Sequence, residues 1–281
     1  MAVQIIIDST TDVRPSLRGS FPVVPLTVRF GDREYIDGVT ITHKEFYEKL
    51  IESDVLPATS QASPAAFAQV FDRVAEQGDT AVVITLASRL SGTFQSAMIA
   101  AEDYPGIVHV VDGCTVAIGN GILAEQALRY REQGLTALQI AEKLERDKER
   151  IQIVALLDTL EYLKKGGRIS SAVAFAGGIL SIKPVVAVKD GQILMLGKAR
   201  GSRQGNNLLV QEIGKAGGVD FDRPVLLGYT GLTDVLLKKY IEDSRALWEE
   251  GAEELDYVSI GSVVGTHAGP GAVAVAFFRK G

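Results

Sequence analysis

A rhythm in the first half of the chain narrows the fold most. Short apolar, β-branched runs over 3–7, 82–85 and 107–112 alternate with stretches whose apolar residues recur at helical spacing. Repetition of strand and helix builds a parallel sheet with helices on its faces. The helical stretches carry their own punctuation. Thr42-His43-Lys44-Glu45 is a capping box for a helix to about 53. Ser63-Pro64 supplies an N-cap and a first helical residue for a helix to 77. Helices over 116–133 and 137–150 are parted at Gly134. Ligands of such sheets sit beyond the carboxyl ends of the strands. Ser9 and Ser91 follow strands, and Thr59 falls in a predicted loop over 56–62.

The second half reads differently. A strand over 151–157 leads to a short helix over 159–165, stopped by Gly166-Gly167. Lys189-Asp190-Gly191 marks a hairpin between strands over 182–188 and 192–196. Helices over 202–215 and 232–250 alternate with strands over 225–229, 255–260 and 272–278. The expectation is an α/β protein of two domains. An N-terminal parallel sheet flanked by helices occupies 1–150, and a mixed or antiparallel sheet with helices occupies 151–281. A further hairpin over 23–36, turning at Gly31-Asp32-Arg33, fits poorly inside a parallel sheet and is expected to lean on the second domain.

With 281 residues there is room for two cores. A net charge of −6 argues against a nucleic-acid-binding face as the main business. The single cysteine, Cys114, leaves no internal disulfide framework and fits a reducing compartment. The opening MAVQIIIDSTTD meets an Asp too early for a signal peptide, and no run approaches the roughly 20 apolar residues of a membrane span. The expected location is the cytoplasm.

Ser91-Gly92-Thr93 lies where a strand hands over to a helix. Backbone N–H groups there favour an anion, and hydroxyls can donate to a carboxylate or phosphate. The plainer reading makes Ser91 a helix cap. His267 lies in Gly265-Thr266-His267-Ala268-Gly269-Pro270-Gly271, read as a rigid glycine-rich loop that could hold an acid, or as a turn with a surface histidine. The other histidines are expected to be solvated (His43) and structural (His109), and none has metal-ligand spacing. Gly119-Asn120-Gly121-Ile122-Leu123-Ala124 matches a dinucleotide fingerprint poorly, and close helix packing explains it better. No Walker-type loop is present. Ser91 and His267 could form a nucleophile and base, although no nucleophile elbow or orienting acid accompanies them. Asp8, Asp12 and Asp112 follow strands, where cap and turn roles prevail over metal binding. Lys164, Lys165 and Arg168, with Lys198, Arg200 and Arg203, form two basic clusters suited to an acidic partner or a phosphate.

Five segments carry a family resemblance: Ile7-Asp8-Ser9-Thr10-Thr11-Asp12, Thr59-Ser60-Gln61, Leu90-Ser91-Gly92-Thr93, the eleven residues from Thr159 to Ile169, and His267-Ala268-Gly269-Pro270-Gly271. In this order they resemble the DegV family, the fatty-acid-binding proteins of the bacterial fatty acid kinase system. The resemblance implies a non-catalytic carrier without a cofactor. Its ligand would be a long-chain fatty acid such as palmitate, stearate or oleate. It also implies that Thr59, Ser91 and His267 hold the carboxylate, with Ser60, Gly92 and Thr93 as additional contacts. Arg168, Arg200 and Arg203 would meet the kinase subunit. The acyl phosphate would pass to an acyltransferase of phospholipid synthesis, and transient membrane contact is compatible with that role. Ala58 and Ala62 depart from the family pattern around Thr-Ser-Gln. The competing expectation is a serine hydrolase or acyl transferase using Ser91 and His267. Phe67, Phe71, Val74, Phe175 and Ile179 are candidate tunnel residues, with ordinary core as the simpler reading.

Overall fold

The computed structural model describes residues 2–169, 182–248 and 255–280. Its first sheet is parallel throughout, in the order β2-β1-β6-β7. The strands are β1 (Val3–Asp8), β2 (Val23–Val24), β6 (Thr80–Thr85) and β7 (Val108–Asp112). Helices α1 (His43–Glu52), α2 (Pro64–Glu76), α3 (Thr93–Ala101), α4 (Ile118–Glu132) and α5 (Ala137–Asp147) accompany it. Thr42 and Glu45 close the expected capping box, and Ser63 Oγ caps α2 through Ala66 N–H.

The second sheet is mixed and six-stranded, ordered β10-β9-β8-β13-β11-β12. It comprises β8 (Ile151–Leu156), β9 (Ile182–Lys189), β10 (Gln192–Arg200), β11 (Leu226–Tyr229), β12 (Tyr257–Ser259) and β13 (Val273–Phe278). Among the described residues of this sheet only β11 and β12 pair in parallel. Asp190 and Gly191 turn the β9–β10 hairpin with φ of 50° and 71°. Between and around these strands lie α6 (Glu161–Lys165), α7 (Gly201–Lys215), α8 (Val235–Asp243), α9 (Arg245–Trp248) and α10 (Ser262–Ala268). The helix expected over 232–250 is interrupted at Ser244, and its last two residues lie outside the described ones. Among the described residues no helix is long and apolar enough to cross a membrane.

The hairpin region corrects the expectation of one long strand over 23–30. Pro25 has no N–H to continue a ladder. The chain leaves β1 after Val24 and starts β3 (Thr27–Phe30) in a separate sheet. There β3 pairs with β4 (Arg33–Ile36) and with β5 (Ala58–Ser60), both antiparallel. The loop expected over 56–62 therefore contains a strand, and Thr59 sits opposite Val28. Val28 and Val263 of α10 belong to one apolar cluster, together with Phe46 and Phe71.

The two faces of the six-stranded sheet do different work. Val154, Leu156, Val185 and Val275 join Leu209 and Leu237 in a core under α7 and α8. The other face presents Ile153, Ala155, Val186 and Ala274. Alternation with period two separates the sets. Ala274, Ala155 and Val186 are successive cross-strand neighbours, so small side chains run in a row across three strands.

Candidate functional site

Over that row of small residues lies a cavity of about 410 Å³, within the usual range for ligand pockets. Its wall is mainly aliphatic. Leu26, Leu86, Leu90 and the start of α4 contribute from the first half, and Leu157, Leu163, Ile193, Ile260 and Val263 from the second. Thr59, Ser60, Gln61, Ser91, Gly92, Arg168 and His267 line it too. The structure thus brings the headgroup candidates Thr59, Ser91 and His267 to one cavity, with Ser60 and Gly92. Thr93 is buried just behind Ser91. Phe67, Phe71 and Val74 are core residues away from the cavity wall, and Phe175 and Ile179 lie outside the described residues.

The polar groups form separate hydrogen-bonded pairs. Thr59 Oγ1 is 3.0 Å from His267 Nε2. Arg168 raises the local positive potential at His267. It also donates through Nε to Leu90 O at 3.2 Å and through Nη1 to Gly166 O at 2.6 Å. Ser91 Oγ accepts Thr93 N–H at 3.3 Å and lies 2.9 Å from Thr93 Oγ1. Gln61 Nε2 donates to Ser96 Oγ at 2.9 Å, which lays the Gln61 amide against Gly92 at the start of α3.

Each position has a local cause. Thr59 is set by its pairing with Val28. Ser91 follows the turn after β6, where Leu90 and Ser91 N–H groups both donate to Ala87 O. Gly92, not Ser91, is the N-cap of α3, so Ser91 stands one residue outside the helix. His267 corrects the expected loop: it lies in the last turn of α10, and the glycines bracket a helix end. That end interlocks with α6. A Cβ on Gly166 would lie 2.2 Å from His267 Nδ1, and one on Gly269 would lie 2.3 Å from the Tyr162 ring. Gly269 also has φ of 71°, which disfavours any other residue. Two of the segments singled out in the sequence, 159–169 and 267–271, are therefore two halves of one contact.

His267 is not a surface histidine. Burial, and then the charge of Arg168, push its pKa down to about 4. Its Nδ1 is buried with no hydrogen-bond partner. An unpaired N–H there would be costly, so the proton belongs on Nε2, which donates to Thr59 Oγ1. The Thr59 hydroxyl then has its own proton free for a ligand. This arrangement does not assemble the expected hydrolase pair. His267 Nε2 engages Thr59, no described residue accepts from Nδ1, and the hydrogen bonds of Ser91 run to Thr93.

The remaining candidates sort as follows. Arg200 and Arg203 are exposed at the start of α7, outside the cavity wall. Asp8 closes a turn by accepting from Thr10 and from Leu86 N–H, and Asp112 accepts from Ser88 and Cys114 N–H. Gly121 allows α4 to touch the backbone of Asp12, where a Cβ would come within 2.0 Å, so the glycine pattern serves packing. His43 corrects the expectation of a solvated residue: burial pushes its pKa down beside Asp37, Arg18 and the Ser259 backbone. Among the described residues no three His, Cys, Asp or Glu side chains gather as a metal ion requires.

The sequence model of the family described as "Uncharacterised protein, DegV family" matches residues 2–280. A DegV domain-containing protein of Caldanaerobacter subterraneus is 33% identical over 284 residues, spanning 99% of both chains. A structure described as fatty acid binding of a DegV family protein from Thermus thermophilus superposes with a TM-score of 0.88 at 31% identity, covering 99% of this chain and 100% of that one. A fatty acid (stearic acid)-binding protein from Eubacterium ventriosum gives a TM-score of 0.88 at 30% identity, covering 100% and 99%. The chain belongs to the DegV family.

Proposed function

We propose that this protein binds a long-chain fatty acid and presents its carboxylate to a separate kinase for conversion to the acyl phosphate. The carrying observation is the cavity itself, an aliphatic chamber whose wall holds Thr59, Ser91, Arg168 and His267, with Thr59 and His267 hydrogen-bonded to each other. A buried carboxylate needs donors. The hydroxyls of Thr59 and Ser91, backed by His267, supply them, and the nearby N-terminus of α3 adds favourable potential. Burying about 14 methylenes contributes on the order of 11 kcal/mol gross. Association and ordering cost about 4–15 kcal/mol, so a preformed chamber is what makes tight binding attainable. The stearic acid-binding relative, with the same fold, supports this choice of ligand.

The kinase step rests on the family resemblance and on Arg168, which reaches from an exposed loop to the patch and can meet both ligand and partner. The site of action we infer is the cytoplasm, where an ATP-using partner would meet it. Denaturing mass spectrometry of freshly purified protein tests the binding. Absence of fatty acid, together with failure of delipidated protein to take up oleate, would end the reading.

A further inference from the structure

We propose that Asp12 is a positioning residue for the headgroup site: its carboxyl group holds the start of the helix whose far end carries His267. This rests on the fatty-acid reading of the cavity. Asp12 lies four residues beyond β1 and is 7% exposed. Its backbone is pinned first. The Asp12 N–H donates to Ala117 O at 3.3 Å, and its carbonyl oxygen packs on α4 at Gly121. Its side chain then reaches across 249 positions of sequence: Oδ1 accepts the N–H of Gly261 at 3.0 Å.

Gly261 is the N-cap of α10 and has no side-chain cap of its own. On the preceding residue, Ile260 O accepts the Tyr47 hydroxyl at 2.9 Å. The entry to α10 is thus held at two points, one from the β1 side and one from α1. His267 lies six positions beyond Gly261, a rise of about 9 Å along the helix. A tilt at the start of α10 is delivered to the imidazole, and to Val263 and Val264 on the cavity wall. Asp12 does not itself line the cavity, and while its backbone N–H meets Ala117 of the wall, its carboxyl group acts through the helix.

The surroundings make Asp12 an expensive anchor, which is the second reason for assigning it a task. Asp12 Oδ2 is buried without a hydrogen-bond partner, while the Asp37 carboxyl beside it faces Ser9, Ser262 and His43. Asp8, Arg18, Asp37 and Tyr47 also face this point. A position needed only for packing would be served better by an apolar side chain. Burial pushes the Asp12 carboxyl well above the ordinary range. In either protonation form Oδ1 remains the acceptor for Gly261 N–H. Asparagine reproduces that shape and that acceptor; alanine supplies neither.

The test uses delipidated full-length protein, oleate as probe, and the imidazole ¹⁵N resonances of its three histidines, with His267 assigned by His267→Gln. Asp12→Asn should bind oleate within about threefold of the parent and leave the His267 resonances in place. Asp12→Ala should weaken oleate binding tenfold or more and displace the His267 resonances of the ligand-free protein. The fluorescence of Trp248, in the core on the other face of the sheet, should be unaltered. Asp147→Asn is the control, since Asp147 is a buried carboxyl bonded to Tyr130 and Arg223. It should lower stability without moving His267 or the affinity. An Asp12→Ala protein with parental affinity and parental His267 resonances overturns the proposal, as does an Asp147→Asn protein showing the same losses. Should Asp12→Ala fail to fold, a displaced His267 signal in Asp12→Asn overturns it equally. If the parent itself takes up no oleate, the fatty-acid reading falls, and the resonances of ligand-free protein still decide the role of Asp12.

Discussion

His267 enters the folded protein without its charge, and that has a measurable signature. Its folded pKa is about 4, whereas an unperturbed imidazole titrates near 6.5. Between these values the unfolded chain binds the extra proton, so the contribution is fully present above 6.5 and is lost as pH falls toward 4. It amounts to about 3 kcal/mol at most. Asp8 works in the opposite sense. Burial raises its pKa from 3.8 to about 6, so its stabilisation is complete below 3.8 and is lost as pH rises through 6. The whole-protein profile mixes these with the shifted Asp12, Asp37 and His43, and the difference between parent and His267→Asn isolates the imidazole. In urea titrations that variant should lose less stability than the parent between pH 7 and 4.5; parallel profiles would contradict the buried neutral imidazole. Ser91 is the second residue with a direct readout. On the proposed reading Ser91→Ala removes a donor to a charged acceptor, worth about 1.5–3 kcal/mol, or roughly 10- to 100-fold in oleate affinity. Its melting temperature should stay close to the parent's. Unchanged affinity would mean that Ser91 only shapes the turn before α3.

At the scale of elements, the sequence announces what repeats and conceals what is short. The parallel sheet was legible in its β-branched runs, and the helices in their caps, because Thr42 with Glu45, and Ser63 with Pro64, are local signals. The three-stranded sheet was not legible. Ala58–Ser60 is too brief for a period to show, and its partner is chosen by Pro25, which ejects the chain from the first sheet. The helical setting of His267 was hidden by the glycines around it. Gly265 suggested a loop, yet it is there because Phe46 and Tyr47 press on α10. Asp12 gave no sign of its reach to Gly261, because nothing local encodes a bond across 249 residues. Gly119 shows how one such contact bears on ligand choice. A Cβ there would lie 2.3 Å from Thr115 Oγ1 and 2.6 Å from Ile153 Cδ1, and Ile153 lines the cavity. Gly119→Val should drive Ile153 inward and shift the co-purified acids toward shorter chains. An unchanged mass spectrum of bound acids would show that Ile153 moves elsewhere.

Across the whole molecule, the cavity is a seam: Leu26, Thr59 and Leu86 from the first half face Ile153, Val186 and Ala274 from the second. The largest apolar core crosses the same seam, joining Ile5, Val82 and Ile122 to Ile153, Val186 and Ala274. A ligand held there touches both halves only when both are folded. It therefore stabilises the native state as a unit, by about 2.7 kcal/mol at a hundred times its dissociation constant. For a chain of this size that is roughly a 5–10 °C rise in melting temperature. Calorimetry of delipidated protein should show one cooperative transition that moves upward as a whole when oleate is added. Two transitions, with only one responding to oleate, would mean that the acid is gripped by one half and merely covered by the other. Fatty acid binding would then survive substitutions in the unresponsive half. A single responsive transition requires instead that cavity-lining substitutions on either side, Leu86→Ala or Val186→Ala, diminish the oleate-induced shift.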